Sequence, residues 1–322
     1  MTSSSYWKMD RDADGVVSLA LDKPGTSANV LSSEVLIELG ALVGGLAAAP
    51  PRALIVRSAK PSGFIAGADI REFTAFKGPE DAFALIRAGQ GVLDRLEALP
   101  CPTIAAIHGF ALGGGLELAL ACRYRVAVND ESLALGFPEV QLGIHPGFGG
   151  TVRAVRVVGV RQAMQLMLTG KPVRADKALK IGLVDRLVSA QELQGAARAM
   201  ALDPPRAHRA PLLERLLSTA VLRPFVKSAL LRELDARVRR EHYPAPYAMV
   251  DLWARYGARG PAAFEAEAHS IAELFGTATA RNLIRVFMLQ DRLKSSAAKS
   301  SVPIKHVHVV GAGVMGGDIA AW

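Results

Sequence analysis

The sequence predicts an α/β fold with parallel strand pairs, followed by an α-helical C-terminal region. Three observations carry this. Short apolar or alternating runs alternate with helical stretches through about residue 190. From about 191 to 299 strand signals vanish and helical stretches follow one another. A Ser/Ala/Lys stretch at 294–303 then has linker composition, after which a new strand–turn–helix pattern starts and the sequence stops at Trp322.

The elements follow in order. Residues 16–22 (VVSLALD) alternate apolar and small polar residues and read as a strand. Residues 32–49 open on serines suited to an N-cap and continue as a helix. The apolar run at 52–59 reads as a buried strand, and 64–70 (FIAGADI) as a loop or turn. Residues 79–100 form an amphipathic helix stopped by Pro100. Residues 102–109 are a strand that feeds a run of glycines, and 124–130 are a further strand. The helical part is broken at 203–211 and at 242–247, both rich in proline, and no solenoid-type repeat is present.

A chain of 322 residues can bury a large core in one or two domains. Half hydrophobic and about a fifth charged, it is of ordinary globular composition, neither disordered nor fibrous. Two cysteines make no disulfide framework and point to a reducing compartment. The N-terminal stretch lacks the apolar core of a secretory signal, and its acidic residues argue against a transit peptide. No apolar run approaches the ~18–20 residues of a membrane span. The expectation is a soluble, cytoplasmic protein. A net charge of +8 and a pI of 9.7 raise the possibility of an anionic partner. The acids interleaved in RELDARVRREH (232–242) favour a solvated charged face instead, with a few basic positions left for phosphate.

The chemistry is signalled by HGFALGGGLELALACR (108–123). A strand, three consecutive glycines and a helix place unpaired backbone N–H groups at a helix N-terminus, with no side chain in the way of a ligand. Tight helix–strand packing would ask for one or two glycines. Glu117 in the first turn complements the helix dipole, an ordinary role taken alone. A second carboxylate, Glu139, follows Pro138 in a turn-rich stretch, and AGAD (66–69) offers another small-residue loop. Together, two carboxylates could work as acid and base while two bare loops hold an oxyanion between N–H donors. The chemistry that fits is proton transfer beside a carbonyl that becomes an enolate. His108 and His145 are read as hydrogen-bonded core or loop histidines.

The stretches FIAGADIREF, IHGFALGGGLELALACRYRVA and GFPEVQLGIHPGFGGTVR, in this order, closely resemble the enoyl-CoA hydratase/isomerase (crotonase) superfamily from about residue 16 to 188. The resemblance implies a crotonase-like ββα superhelix, assembled as a homo-oligomer. It implies that the N–H groups of Ala68 and Gly114 hold the thioester oxygen and that Glu117 and Glu139 activate a water, Glu117 mainly as base and Glu139 delivering a proton to the α-carbon. Ala66, Gly67 and Ile70 would lie along CoA, with Arg71 near a CoA phosphate. The activity implied is hydration of trans-2-enoyl-CoA, which needs no cofactor or metal, with double-bond isomerisation allowed as a second activity. Two departures stand out. Arg123 occupies a place where the family often has an acid, and the spacing of 22 between the glutamates puts extra residues in a loop near 129–132.

Residues 264–294 and VHVVGAGVMGGDIA are similar to the α-subunit of the bacterial multifunctional fatty-acid β-oxidation complex, in which a 3-hydroxyacyl-CoA dehydrogenase follows the crotonase part. Gly311, Gly313 and Gly316 fit GxGxxG after a strand. The acidic partner for the ribose would lie about 20 residues further on. The expectation is a piece cut within the second domain, with NAD a cofactor only of a longer parent and a thiolase subunit a partner there. The expected parts are residues 1–190 (spiral core), 191–300 (helical region and linker helix) and 301–322 (start of the dinucleotide-binding domain). Two other readings stand beside this one: an NAD-dependent dehydrogenase, and a non-catalytic CoA- or RNA-binding scaffold, for which nucleic acid is the weaker partner.

Overall fold

The computed structural model describes residues 5–74, 76–297, 306–311, 313, 315, 317 and 318. Contacts divide the chain into two units, Met1–Ile284 and Arg285–Trp322, a division that falls within the stretch read as helical region and linker helix.

The first unit is built on a six-stranded sheet in the order β1-β2-β3-β4-β6-β8. Its strands are β1 (Trp7–Arg11), β2 (Val16–Leu21), β3 (Ala53–Ser58), β4 (Thr103–Ile107), β6 (Tyr124–Val128) and β8 (Arg186–Val188). A short pair, β5 (Phe110–Leu112) and β7 (Ala134–Gly136), lies outside it. β1 and β2 are antiparallel; every other pairing is parallel. β4 and β6 are buried along their whole length, including Arg125 of β6. Along the sheet the pleat sorts side chains by parity. Val16, Ile55, Ile104, Ala106 and Val126 pack with Leu193, Ala197 and Met200 of α8 (Leu193–Leu202). Val17, Leu19, Leu54, Val56, Ala105 and Ile107 face the main core.

The helices before α8 are α1 (Ser33–Ala48), α2 (Ile70–Phe73), α3 (Pro79–Glu97), α4 (Gly114–Ala121), α5 (Gly150–Val158), α6 (Val160–Thr169) and α7 (Ala175–Lys180). After it come α9 (Leu212–Leu217), α10 (Arg223–Asp235), α11 (Pro244–Tyr256), α12 (Pro261–Phe275) and α13 (Ala278–Ala297). α12 packs along α3, which carries the helical C-terminal region back onto the sheet domain. Cys101 and Cys122 are both buried and free.

Four local readings change. β1 is a strand in the stretch screened only for targeting signals; it exists because Trp7 buries its indole and donates from Nε1 to the Val35 carbonyl at 3.0 Å. The loop at 64–70 ends by starting α2, capped by Asp69, which accepts from the Arg71 N–H. The break read at 242–247 is half helix, because Pro244 and Pro246 sit in the first turn of α11, where a missing N–H costs nothing. In the second unit, 306–310 form no strand; a strand exists by pairing, and this one pairs with nothing among the described residues. Gly311 has φ +115° and the Gly317 N–H donates to the Gly313 carbonyl at 3.1 Å, while Gly316 lies outside the described residues.

Candidate active site

The glycine run answers to three different neighbours. Gly113 has φ +51°, and a Cβ on it would stand 2.6 Å from Glu139 Oε1. A Cβ on Gly114 would lie 3.3 Å from the Ala68 nitrogen, and one on Gly115 would lie 2.3 Å from the Ile65 carbonyl oxygen. Two bonds fix the run in place: the Leu112 N–H donates to Ile65 O (3.0 Å) and the Gly113 N–H to Gly136 O (2.9 Å). The loop at 66–68 is pinned from the other side by the Leu31 N–H on Gly67 O (2.8 Å) and the Asp69 N–H on Leu31 O (3.1 Å).

The backbones of Ala68 and Gly114 are thereby brought against one another. Gly114 is the first residue of α4, so its N–H has no acceptor within the helix. Among the described residues no acceptor takes the Ala68 N–H. Both residues line one cavity of about 70 Å³, room for several waters.

Glu117 and Glu139 line the same cavity. Glu117, in the first turn of α4, is 2% exposed, and its Oε1 accepts from the Phe148 and Gly150 N–H groups, each at 2.7 Å. Glu139 stands on the short 3-10 turn Pro138–Leu142, half-buried, with an Oε2 out of solvent and without a hydrogen-bond partner among the described residues. Burial, with the charges of Glu267 and Glu139, pushes the Glu117 carboxyl well above the ordinary carboxylate range. Burial likewise pushes Glu139 up to about 8. The rest of the wall is mostly apolar, with Ile70, Phe73, Ile86, Leu142, Phe148 and Ile271.

Of the residues expected along CoA, Ala66, Gly67 and Ile70 line this cavity. Arg71 is not among the lining residues and forms an ion pair: its Nε and Nη2 donate to Asp69 at 2.9 Å each, and 68% of its side chain is exposed. His145 is fully buried and held at both ring nitrogens, by Pro146 O (2.7 Å) and Ser270 Oγ (2.9 Å); burial lowers its pKa to about 4 and keeps it neutral. His108 Nε2 pairs with Lys60 O at 2.7 Å. The loop near 129–132 is a turn closed by the Ser132 N–H on Asp130 Oδ1.

Residues 11–244 match the family Enoyl-CoA hydratase/isomerase. The chain belongs to this family. It is similar to the solved enoyl-CoA hydratase from Bacillus anthracis at 31% identity and a TM-score of 0.57, over 79% of this chain and 90% of that one. It is similar to the enoyl-CoA hydratase of Mycobacterium smegmatis at 28% identity and 0.58, over 81% and 93%. It is also similar to Pseudomonas aeruginosa DspI at 28% identity and 0.58, over 73% and 97%. The α/β fold with its parallel sheet is of the crotonase type, and in this chain a helical C-terminal region follows it.

In this hydratase/isomerase chain the structure adds a further buried carboxylate beside the site that sequence reasoning missed. Glu267 of α12 is 0% exposed and accepts from the Gly149 N–H (2.6 Å), the Thr151 N–H (2.9 Å), the Thr151 hydroxyl and Gln90 Nε2 (3.0 Å). A signal was available: Phe264, Glu267, Ile271 and Leu274 share the apolar stripe of one helix, and a lone acid on such a stripe asks for a partner.

Proposed function

We propose that the protein hydrates trans-2-enoyl-CoA thioesters to 3-hydroxyacyl-CoA. The observation that carries this is the placing of two carboxyl groups and two unclaimed N–H donors around one largely apolar cavity. The thioester oxygen sits between the Ala68 and Gly114 N–H groups. Glu117 takes a proton from water: burial and the charges of Glu267 and Glu139 raise its pKa, and the two N–H donors on its Oε1 oppose that rise and favour the anion. The water oxygen bonds to C3, the C2–C3 π electrons move toward C1, and the enolate oxygen is held by the two donors, each worth about 3–4 kcal/mol at the transition state. Glu139, kept neutral by burial, delivers its proton to C2. One water has then been added, Glu117 is protonated and Glu139 ionised, and the proton returns to Glu139 before the next turnover.

On this reading the apolar wall takes the acyl chain, Ala66, Gly67 and Ile70 lie along CoA, and the exposed Arg71 guanidinium faces a CoA phosphate. No cofactor takes part. Shuttling a proton between C4 and C2 by the same pair would isomerise a 3-enoyl-CoA as a second activity. The wider reading is a place in fatty-acid β-oxidation in the cytoplasm, as part of a multifunctional α-subunit in which residues 301–322 begin an NAD-binding dehydrogenase domain and a thiolase subunit is the partner. A homo-oligomer is part of this reading.

The test is hydration of crotonyl-CoA in H₂¹⁸O and in D₂O, with products read by mass spectrometry. The expected product carries ¹⁸O at C3 and one deuterium at C2. CoA-thioester binding with no label incorporated would make the chain a binding scaffold and overturn the proposal.

A further inference from the structure

We propose that Glu267 is a positioning residue for this reaction: from behind the cavity wall it holds the Phe148–Thr151 backbone so that this segment presents two N–H groups to Glu117. This rests on the hydratase reading for its chemistry, and on the geometry alone for the coupling between the two carboxylates.

Four consecutive N–H groups alternate between two acids. Those of Phe148 and Gly150 donate to Glu117 Oε1, each at 2.7 Å. Those of Gly149 and Thr151 donate to Glu267, at 2.6 and 2.9 Å. The segment is thus clamped from two sides, and neither carboxylate can turn without releasing donors shared along one short stretch of backbone. The glycines are needed for this approach: a Cβ on Gly150 would stand 2.8 Å from Glu117 Oε1, and one on Gly149, with φ +98°, would stand 2.1 Å from Arg153 Nη1. Glu267 itself is fixed by Gln90, whose Nε2 also reaches the carbonyls of Gly147 (2.9 Å) and Phe264 (3.0 Å). α3 and α12 are therefore both tied to the loop that carries Phe148. Ile271 of α12 lines the cavity while Glu267 stands behind it, so Glu267 acts on the substrate through Glu117.

The titratable and charged groups around the pair are Glu139 and His145 on the cavity side, Arg153 of α5 with its partners Asp94 and Glu97 of α3, and Arg87 of α3, which bonds Gln90. His269 of α12 stacks on Phe83. Of these, Glu267 and Glu139 raise the Glu117 pKa by repulsion. Neutralising Glu267 therefore lets Glu117 ionise at a lower pH.

The experiment uses the full chain. The side-chain carboxyl carbon of Glu117 is titrated by NMR in ¹³C-glutamate protein, assigned by difference with Glu117→Gln, alongside the pH profile of hydration. In Glu267→Gln the Glu117 titration moves to lower pH, kcat falls on the order of 10–100-fold and KM stays within about twofold. Glu265→Gln, exposed on the same helix, leaves both readouts unchanged. Should Glu267→Gln fail to fold, Thr151→Val removes one donor to Glu267, makes it easier to protonate, and moves Glu117 in the same direction by less. An unmoved Glu117 titration in the folded variants, with or without loss of kcat, overturns the proposal. If the wild-type protein shows no hydration at all, the hydratase reading fails, and the titration still decides the coupling.

Discussion

Gly113 and Glu139 approach so closely that a Cβ on the glycine would stand 2.6 Å from the Glu139 carboxylate, at a backbone φ of +51°. Gly113→Ala thus acts twice: the methyl displaces the carboxylate, and the backbone is strained by about 1–3 kcal/mol. The expected result is a kcat at least about tenfold lower with a lower unfolding temperature. Steady-state kinetics and thermal unfolding of the same sample check it.

The raised carboxyls set a pH dependence of stability with a definite sign. Glu139 titrates at about 8 and Glu267 at about 7 in the folded chain, against 4.5 for an ordinary glutamate. Between these values the native state holds protons that the unfolded state has lost, so stability falls as pH rises from about 4.5 to 8. His145, lowered to about 4 from 6.5, acts in the opposite sense, its contribution being lost as pH falls from 6.5 to 4. The clean window is therefore pH 6.5–8. Urea unfolding there should show stability falling with pH, with a shallower slope in Glu139→Gln.

Asp69 anchors the loop that carries the Ala68 N–H. It accepts from Arg71 Nε and Nη2 at 2.9 Å each and from Lys23 Nζ at 3.2 Å, and the Arg71 hydrogen bond holds its carboxyl down at about 2. Asp69→Asn should cost about 1.5–3 kcal/mol of stability, the worth of hydrogen bonds to a charged group, and lower kcat/KM as the donor loses its fixed place. Because the folded pKa is depressed, the wild-type advantage is full above about pH 4 and is lost as pH falls toward 2. Equilibrium unfolding of both proteins from pH 7 to 2 measures it.

The parallel sheet was legible because β2, β3, β4 and β6 are mostly apolar or alternating stretches of five or six residues bounded by turns and helices. The three-residue strands β5, β7 and β8 were not, since three residues carry no period. Glu117, Glu139 and the bare loops stood out through glycine and proline, whose backbone demands show in one dimension. Glu267 did not, because its role depends on α12 returning across α3 to meet Gly149 and Thr151, more than 110 residues earlier in the chain. The ion pair of Arg71 with Asp69 was also invisible, because the residue type alone does not show which neighbouring carboxylate it meets.

The most direct test of the account is the rate of trans-2-enoyl-CoA hydration by the wild-type chain, Glu117→Gln and Glu139→Gln, with substrate binding measured in parallel. The wild type should turn over, and each variant should bind the thioester with little change while kcat drops on the order of 10²–10⁴-fold, the worth of a positioned acid or base. Undiminished hydration in either folded variant would contradict the claim that these two carboxyl groups share one water beside the Ala68–Gly114 donors.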